Sequence, residues 1–200
     1  MARDCDDATH RYAERIYREA SRMNSLIMDM LRLSNLERLV EDEATVAEVR
    51  LKDIAEEIVA EYAPLAAKKA LKTQINGDVS VFADSKKMFE LLENLYTNAV
   101  NYNVDSGRVA VELLLKDGRP TVRVCDTGIG IEKEHIPRLC ERFYRVDKSR
   151  SKKTGGTGLG LAIVKHICAI YNAELKIDSE VGVGTAVEVC FPKSEQSIKN

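Results

Sequence analysis

Three groups of residues in this chain have types and spacings that suit chemistry. The segment DTGIG, Asp126 to Gly130, directly follows an apolar, strand-like run. A carboxylate held there in a partly dry pocket can accept a hydrogen bond from an exocyclic amine, and Gly128 and Gly130 let the backbone turn closely around a planar ligand. The arrangement suits adenine, although Asp-x-Gly-x-Gly also makes ordinary turns. The segment GGTGLGLAIVKH carries glycines at 155, 156, 158 and 160 ahead of an apolar helical pattern. Bare backbone N–H groups and the positive end of the following helix would cradle phosphates there. No Gly-Lys-Ser/Thr makes it a Walker A loop, and the preceding SRSKKT is no strand, so it is no Rossmann turn. A surface linker is the plainer alternative, but a linker would not run straight into an apolar helix.

The third group is Glu93, Asn94, Asn98, Asn101 and Tyr102. Positions 94, 98 and 101 fall at i, i+4 and i+7, so three amides share one face of a helix whose other face holds Phe89, Leu91, Leu92, Leu95 and Ala99. Asparagine is a poor helix former, and amide oxygens are hard ligands suited to Mg²⁺ that keeps waters and phosphate oxygens. Solvated asparagines on a surface face are the alternative.

These residues need elements to position them. Ser85 to Tyr102 reads as the asparagine-bearing helix, and LGLAIVKHICAIY as the helix after the glycines. VAVELLLKDGRPTVRVCD reads as two strands around the hairpin signal Asp117-Gly118, the second ending at Asp126. AELKIDS and TAVEVCF form a closing strand pair across VGVG. Upstream, VAEVRL is strand-like, DIAEEIVAEYAPLAAKKA is helical with Pro64 expected to kink or shorten it, and LKTQIN and VSVFAD are short strands separated by Asn76-Gly77-Asp78. A short helix is expected over 136–144, a mobile basic and glycine-rich loop over 147–158, and a disordered tail over 194–200. Helices and strands mix without regular βαβ alternation. The expected class is therefore α+β, a two-layer sandwich of a mixed sheet covered on one face by helices.

Ahead of this, residues 8–38 carry Ile16, Ala20, Met23, Ile27 and Met30 at alternating steps of four and three. This is a long amphipathic helix whose stripe must meet a partner helix or its own domain. The acidic stretch Glu37 to Glu43 breaks the stripe and puts a boundary near residue 42, dividing the chain into 1–42 and 43–193.

Composition narrows the class. Lys and Arg total 30 against 32 acids, which gives no bulk attraction to nucleic acid or anionic membrane. Five cysteines without CxxC spacing argue for a reducing compartment, and the cytoplasm fits best. No apolar run approaches the ~20 residues that cross a bilayer, so no membrane contact by this chain is expected.

Taken together and in order, the motifs resemble those of sensor histidine kinases. NLYTNAVNY is similar to the N box, VCDTGIGI to the G1 box, ERFYRVDKSRS to the F box and GGTGLGLAIVKHI to the G2 box, with GVGT at 182–185 resembling the closing glycine-threonine motif. The F box separates the chain from gyrase, heat-shock chaperone and mismatch-repair relatives of the same Bergerat-type fold. The resemblance implies that Asn94 and Asn98 hold Mg²⁺ against ATP, Asp126 reads adenine, Tyr102 lies beside the base and Thr185 lines its pocket. It further implies that Glu93 orients the phosphoryl acceptor and that Arg145 and the amides of Gly156, Thr157, Gly158, Leu159, Gly160 and Leu161 steady the phosphates, with Phe143 ordering the lid. The family typically has lysine or arginine where Asn101 stands; Lys148, Lys152 or Lys153 are candidates to compensate.

Residues 8–38 resemble the second helix of the family's dimerisation hairpin. No H box is recognised: His10 is followed by Arg11, and His135 and His166 read as structural or surface histidines. The expected function is that of the ATP-binding catalytic part of a two-component kinase. It would donate the γ-phosphoryl group to a histidine on an H-box helix, with a response regulator receiver domain as the next acceptor and a homodimer formed through the complete hairpin. Alone the chain is expected to bind ATP without phosphorylating itself. The competing expectations are a nucleotide-binding or dimerisation module without transfer activity and an anti-sigma-type serine kinase.

Overall fold

The computed structural model describes residues 46–146 and 157–193 together with part of residues 9–31. Of residues 9–31, those described are helical, and Ile16, Met23, Ile27 and Met30 of the expected stripe are exposed. The boundary expected near residue 42 and the tail after 193 lie outside the described residues, as does most of the 147–158 loop.

Strand β1 (Ala47–Arg50) leads into helix α1 (Leu51–Glu61), which buries Leu51, Ile54, Ala55 and Ile58 at i, i+3, i+4 and i+7. At Tyr62 the helix breaks, and Pro64 falls in the first turn of α2 (Ala63–Ala67), where its missing N–H costs nothing. Strands β2 (Lys72–Gly77) and β3 (Ser80–Ala83) follow. They do not pair with each other. β3 runs antiparallel to β1 in a two-stranded ribbon, and β2 runs parallel to β4.

Helix α3 (Ser85–Asn101) is the central element. Asp84 caps it, its carboxylate accepting from the N–H groups of Lys86 at 2.8 Å and Lys87 at 3.1 Å. Met88, Leu91, Leu92, Leu95, Tyr96, Ala99 and Val100 are buried. That stripe seats α3 between α1 and α4 and onto the sheet, and truncating any one of its leucines to alanine costs roughly 2 to 5 kcal/mol. Strands β4 (Arg108–Lys116) and β5 (Arg119–Asp126) form the expected hairpin, with Asp117 and Gly118 both at positive φ (54° and 75°). Between Asp126 and helix α4 (Gly160–Ile170) the expected helix over 136–144 is only one 3₁₀ turn, Ile136–Arg138. Beyond it Phe143 has φ +63°, and its N–H donates to Gly158 O at 3.0 Å. Strands β6 (Glu174–Glu180) and β7 (Gly184–Cys190) close the sheet.

The five-stranded sheet has the order β2-β4-β5-β7-β6, with β2–β4 parallel and the other pairs antiparallel. Its register sorts the faces into rows. Toward the helices run Gly77–Leu113–Val122–Val189–Leu175 and Ile75–Val111–Val124–Val187–Ile177, both apolar apart from Gly77. A third row on the same face, Thr73–Val109–Asp126–Thr185–Ser179, is mostly polar. The outer face carries Glu112–Arg123–Glu188–Lys176, alternating in charge across four strands, and Lys116 also reaches Glu188 at 2.7 Å. That ladder suits water, so one layer of helices suffices.

Candidate nucleotide site

The polar row marks the end of the sheet where chemistry is possible. Asp126, the last residue of β5, accepts the N–H of Gly128 at 2.7 Å and that of Thr185 opposite it on β7. Burial raises its pKa above the ordinary carboxylate value, and the two backbone donors partly offset the rise. Ionised, the group is acceptor-only, which is what an exocyclic amine requires. Thr185 is half-buried beside it, and its hydroxyl lies 2.8 Å from that of Ser179.

The loop after Asp126 is tied to the C-terminal end of α3. Ile129 N–H donates to Tyr102 O at 3.1 Å, and a Cβ at Gly128 would lie 2.3 Å from the same oxygen, so only glycine lets the two segments approach. Tyr102 is part-exposed there. Gly130 abuts the β6–β7 turn, where Gly182 N–H donates to Ile129 O at 2.9 Å. Beneath, buried Asn103 donates to Arg108 O at 2.9 Å and accepts from Val104 N–H at 3.0 Å, with Thr127 Oγ1 at 3.3 Å. Lys69 Nζ donates to the carbonyls of Val100, Asn101 and Asn103 at 2.6 to 3.1 Å, placing a cation at the negative end of α3.

The other end of the site lies one to two turns earlier on α3. Asn94 Nδ2 donates to Glu90 O at 2.7 Å. A Cβ at Gly160 would lie 2.7 Å from Asn94 Oδ1 and 3.7 Å from Asn98 Nδ2. The absent side chain thus lets the start of α4 sit on both amides. The N-cap residue of α4, Leu159, makes no side-chain cap, and the first turn of the helix sets its N–H groups and positive end where an anion would sit. The amides of Asn94 and Asn98, on successive turns beside this helix start, would offer a hard oxygen donor set suited to Mg²⁺ shared with phosphate oxygens, with the Asn98 amide turned so that its oxygen rather than Nδ2 faces Gly160. Glu93, the neighbour of Asn94, has its carboxylate held by Tyr62 OH at 2.5 Å.

The F-box segment meets the base of the glycine-rich loop. Besides the Phe143–Gly158 hydrogen bond, a Cβ at Gly158 would lie 3.1 Å from Arg145 Cγ and 2.9 Å from Tyr144 O. Phe143 is half-exposed. Tyr144 OH is 2.7 Å from His135 Nδ1, and the Arg138 guanidinium stacks 4.2 Å above its ring, so His135 buttresses this segment. Leu159 is buried, its N–H bonded to Thr157 Oγ1 at 3.3 Å, and Leu161 is partly buried. Gly156, Lys148, Lys152 and Lys153 lie outside the described residues.

The fold therefore brings Asn94, Asn98 and Gly160 together at one end and Tyr102, Gly128, Asp126 and Thr185 at the other, with α3 as the rail between them. Four supporting residues were missed in the sequence: Tyr62, Lys69, Asn103 and Ser179. No local pattern marks them: Tyr62 and Lys69 act on groups 31 or more positions away, and Asn103 and Ser179 combine near partners with one 24 and one 48 positions away.

Known proteins resemble this chain along the same lines. The family model described as histidine kinase-, DNA gyrase B- and HSP90-like ATPase matches residues 83–195. The sensor-like histidine kinase SenX3 of Mycolicibacterium smegmatis is 34% identical over 195 residues, covering 95% of this chain and 50% of that protein. The phosphate regulon sensor protein PhoR of Pseudomonas aeruginosa is 35% identical over 193 residues, 92% of this chain and 42% of PhoR. The chain thus spans half or less of these relatives. Among solved structures, full-length ShkA in complex with AMPPNP superposes with a TM-score of 0.73 at 26% identity, covering 85% of this chain and 35% of that one.

Proposed function

Because the chain belongs to the histidine kinase-, DNA gyrase B- and HSP90-like ATPases, among the sensor histidine kinases, we propose that it binds Mg-ATP across α3 and donates the γ-phosphoryl group to a histidine. The observation that carries this reading is the seating of the start of α4 on Asn94 and Asn98, on the same helix that ends beside the Asp126 loop. An acceptor for an amine and a cradle for phosphates then stand at the two ends of one ligand. Asp126 reads the adenine amine, Tyr102 lies beside the base, and Thr185 lines its pocket.

Asn94 and Asn98 would hold Mg²⁺, which when bound neutralises charge on the phosphate oxygens. The N–H groups from Gly156 to Leu161 and the Arg145 guanidinium bind the same oxygens, and Phe143 orders the loop that carries them. In the transfer, the bond from the γ-phosphorus to its bridging oxygen breaks and a phosphorus–nitrogen bond forms, leaving ADP. Glu93, whose carboxylate Tyr62 holds in place, orients the imidazole acceptor, and the imidazole proton is lost to solvent as the phosphorus–nitrogen bond forms. Asn101 carries no charge, so positioning and the remaining donors supply the charge stabilisation.

The acceptor histidine lies on an H-box helix pair, the next acceptor is a receiver domain of a response regulator, and the helix before residue 42 pairs in a homodimer. Among the described residues no helix is long and apolar enough to cross a membrane. The test is calorimetry with Mg-ATP on the folded chain. Saturable one-to-one uptake that falls about tenfold or more in Asp126→Ala is expected, from loss of a charge-assisted hydrogen bond worth roughly 1.5 to 3 kcal/mol. Absence of uptake in the folded wild type would end the reading.

A further inference from the structure

Ser179 lies in the polar row at the end of β6 and is buried. Its hydroxyl oxygen has three neighbours: Ile131 N at 2.9 Å, Gly184 O at 2.9 Å and Thr185 Oγ1 at 2.8 Å. A serine hydroxyl has one proton and two lone pairs, so the roles can be counted. The Ile131 N–H can only donate, which occupies one lone pair. The Gly184 carbonyl can only accept, which takes the proton. The contact with Thr185 is then completed by the threonine proton on the second lone pair. Ser179 is saturated, and the one proton of Thr185 is consumed.

Thr185 is thereby left with acceptor capacity alone. Its neighbour in the row, Asp126, is acceptor-only when ionised, and both of its backbone donors come from the protein. The base end of the site accordingly presents oxygens that accept and, between these two side chains, no proton to give.

We infer that Ser179 is a specificity-determining positioning residue: by holding the Thr185 proton it makes this end of the site accept an amine and reject a purine carbonyl at the same position. This rests on the nucleotide reading above and adds to it a residue that touches no ligand. With Ser179 in place, the 6-oxo group of guanine or hypoxanthine meets two sets of lone pairs and goes unpaired on desolvation, whereas the 6-amino group is satisfied.

The experiment compares Mg-ATP, Mg-GTP and Mg-ITP by calorimetry on the whole chain, wild type against Ser179→Ala. Wild type is expected to favour ATP. In Ser179→Ala the Thr185 proton is released and free to turn toward a 6-oxo group, so the ATP-to-ITP affinity ratio falls by about tenfold, the size of one hydrogen bond's reversal. Ser179→Ala added to Thr185→Val is expected to shift the ratio no further than Thr185→Val alone, because the serine acts through the threonine. If Ser179→Ala weakens all three nucleotides alike and leaves the ratio unchanged, Ser179 is merely structural and the inference is overturned. Should the alanine variant fail to fold, Ser179→Cys answers the same question, since a thiol of similar size is a weak acceptor that also releases the proton; an unchanged ratio there is equally fatal. If wild type binds none of the three, the nucleotide reading itself falls and the inference with it. If wild type binds ATP but the ratio does not move, the reading stands and only the serine's role is lost.

Discussion

Asp126 is pulled in opposite directions by burial and by its two backbone donors, and burial prevails, so its carboxyl keeps a proton to a higher pH than the ordinary 3.8. Two consequences follow at this single residue. The protonated group is a poorer acceptor, so ATP affinity should fall on acidification toward the raised pKa, and calorimetry at successively lower pH should show the decline. In the ligand-free protein the native state binds the proton more tightly than the unfolded chain, so stability should rise as pH falls from the native pKa to the unfolded one. Asp126→Asn removes the titration, and its melting temperature should lose this component of pH dependence while exceeding that of wild type above the native pKa. Asn98 tests the other end. Its replacement by alanine should abolish the magnesium dependence of ATP binding while leaving the fold intact, and a variant that keeps that dependence would not be missing a ligand.

Helices α3 and α4 work as elements because one glycine lets them touch. In Gly160→Ala the new methyl meets Asn94 Oδ1 at 2.7 Å, closer than real contacts allow, so either the Asn94 amide turns off its bond to Glu90 O or the start of α4 moves away, and both disturb the seat of the metal. Mg-ATP affinity should drop at least tenfold with little change in the far-ultraviolet circular dichroism, since alanine itself favours helix. At its other end α3 is held by the Lys69 ammonium on three carbonyls. Lys69→Met should cost about 1.5 to 3 kcal/mol in urea unfolding, the size of a hydrogen bond to a charged group. It should also loosen Tyr102 and the Asp126 loop, which share that helix end.

For the molecule as a whole, a ligand gripped at both ends of α3 joins the sheet end to the helical layer and should stabilise the entire domain. By linkage, Mg-ATP at one hundred times its dissociation constant adds about 2.7 kcal/mol, readable as a raised melting temperature that ADP or magnesium alone reproduces only in part. On the proposed reading, transfer needs an acceptor histidine on an H-box helix pair. This chain incubated with labelled Mg-ATP should stay unlabelled, and adding a separately made H-box helix pair should give acid-labile label on histidine. Acid-stable label on serine would instead point to a different acceptor.

Local order was legible in the residues themselves. The α3 stripe from Met88 to Val100, the Asp117-Gly118 hairpin and the β6–β7 pair follow from neighbours a few positions apart, where periodicity and turn chemistry act without knowledge of the rest. The motif resemblance likewise pointed to Asn94, Asn98, Asp126 and Gly160 as parts of one site. What the residues did not reveal is non-local. Gly77 looks like a hairpin turn between β2 and β3, yet a Cβ there would lie 2.0 Å from Leu113 O, and the close approach to β4 sends β2 into the parallel pairing. The helix expected over 136–144 stops after Arg138, and Phe143, at positive φ, gives its N–H to Gly158 O of a distant segment rather than to a preceding turn. Tyr62, Lys69, Asn103 and Ser179 are ordinary residues in sequence, and only the packed sheet and helices set a hydroxyl, an ammonium or an amide against the group it controls. Sequence determined which chemistry the chain carries, because residue type sets what an atom can donate or accept. Tertiary structure decided where each proton goes, because that depends on which atoms end within 3 Å of one another.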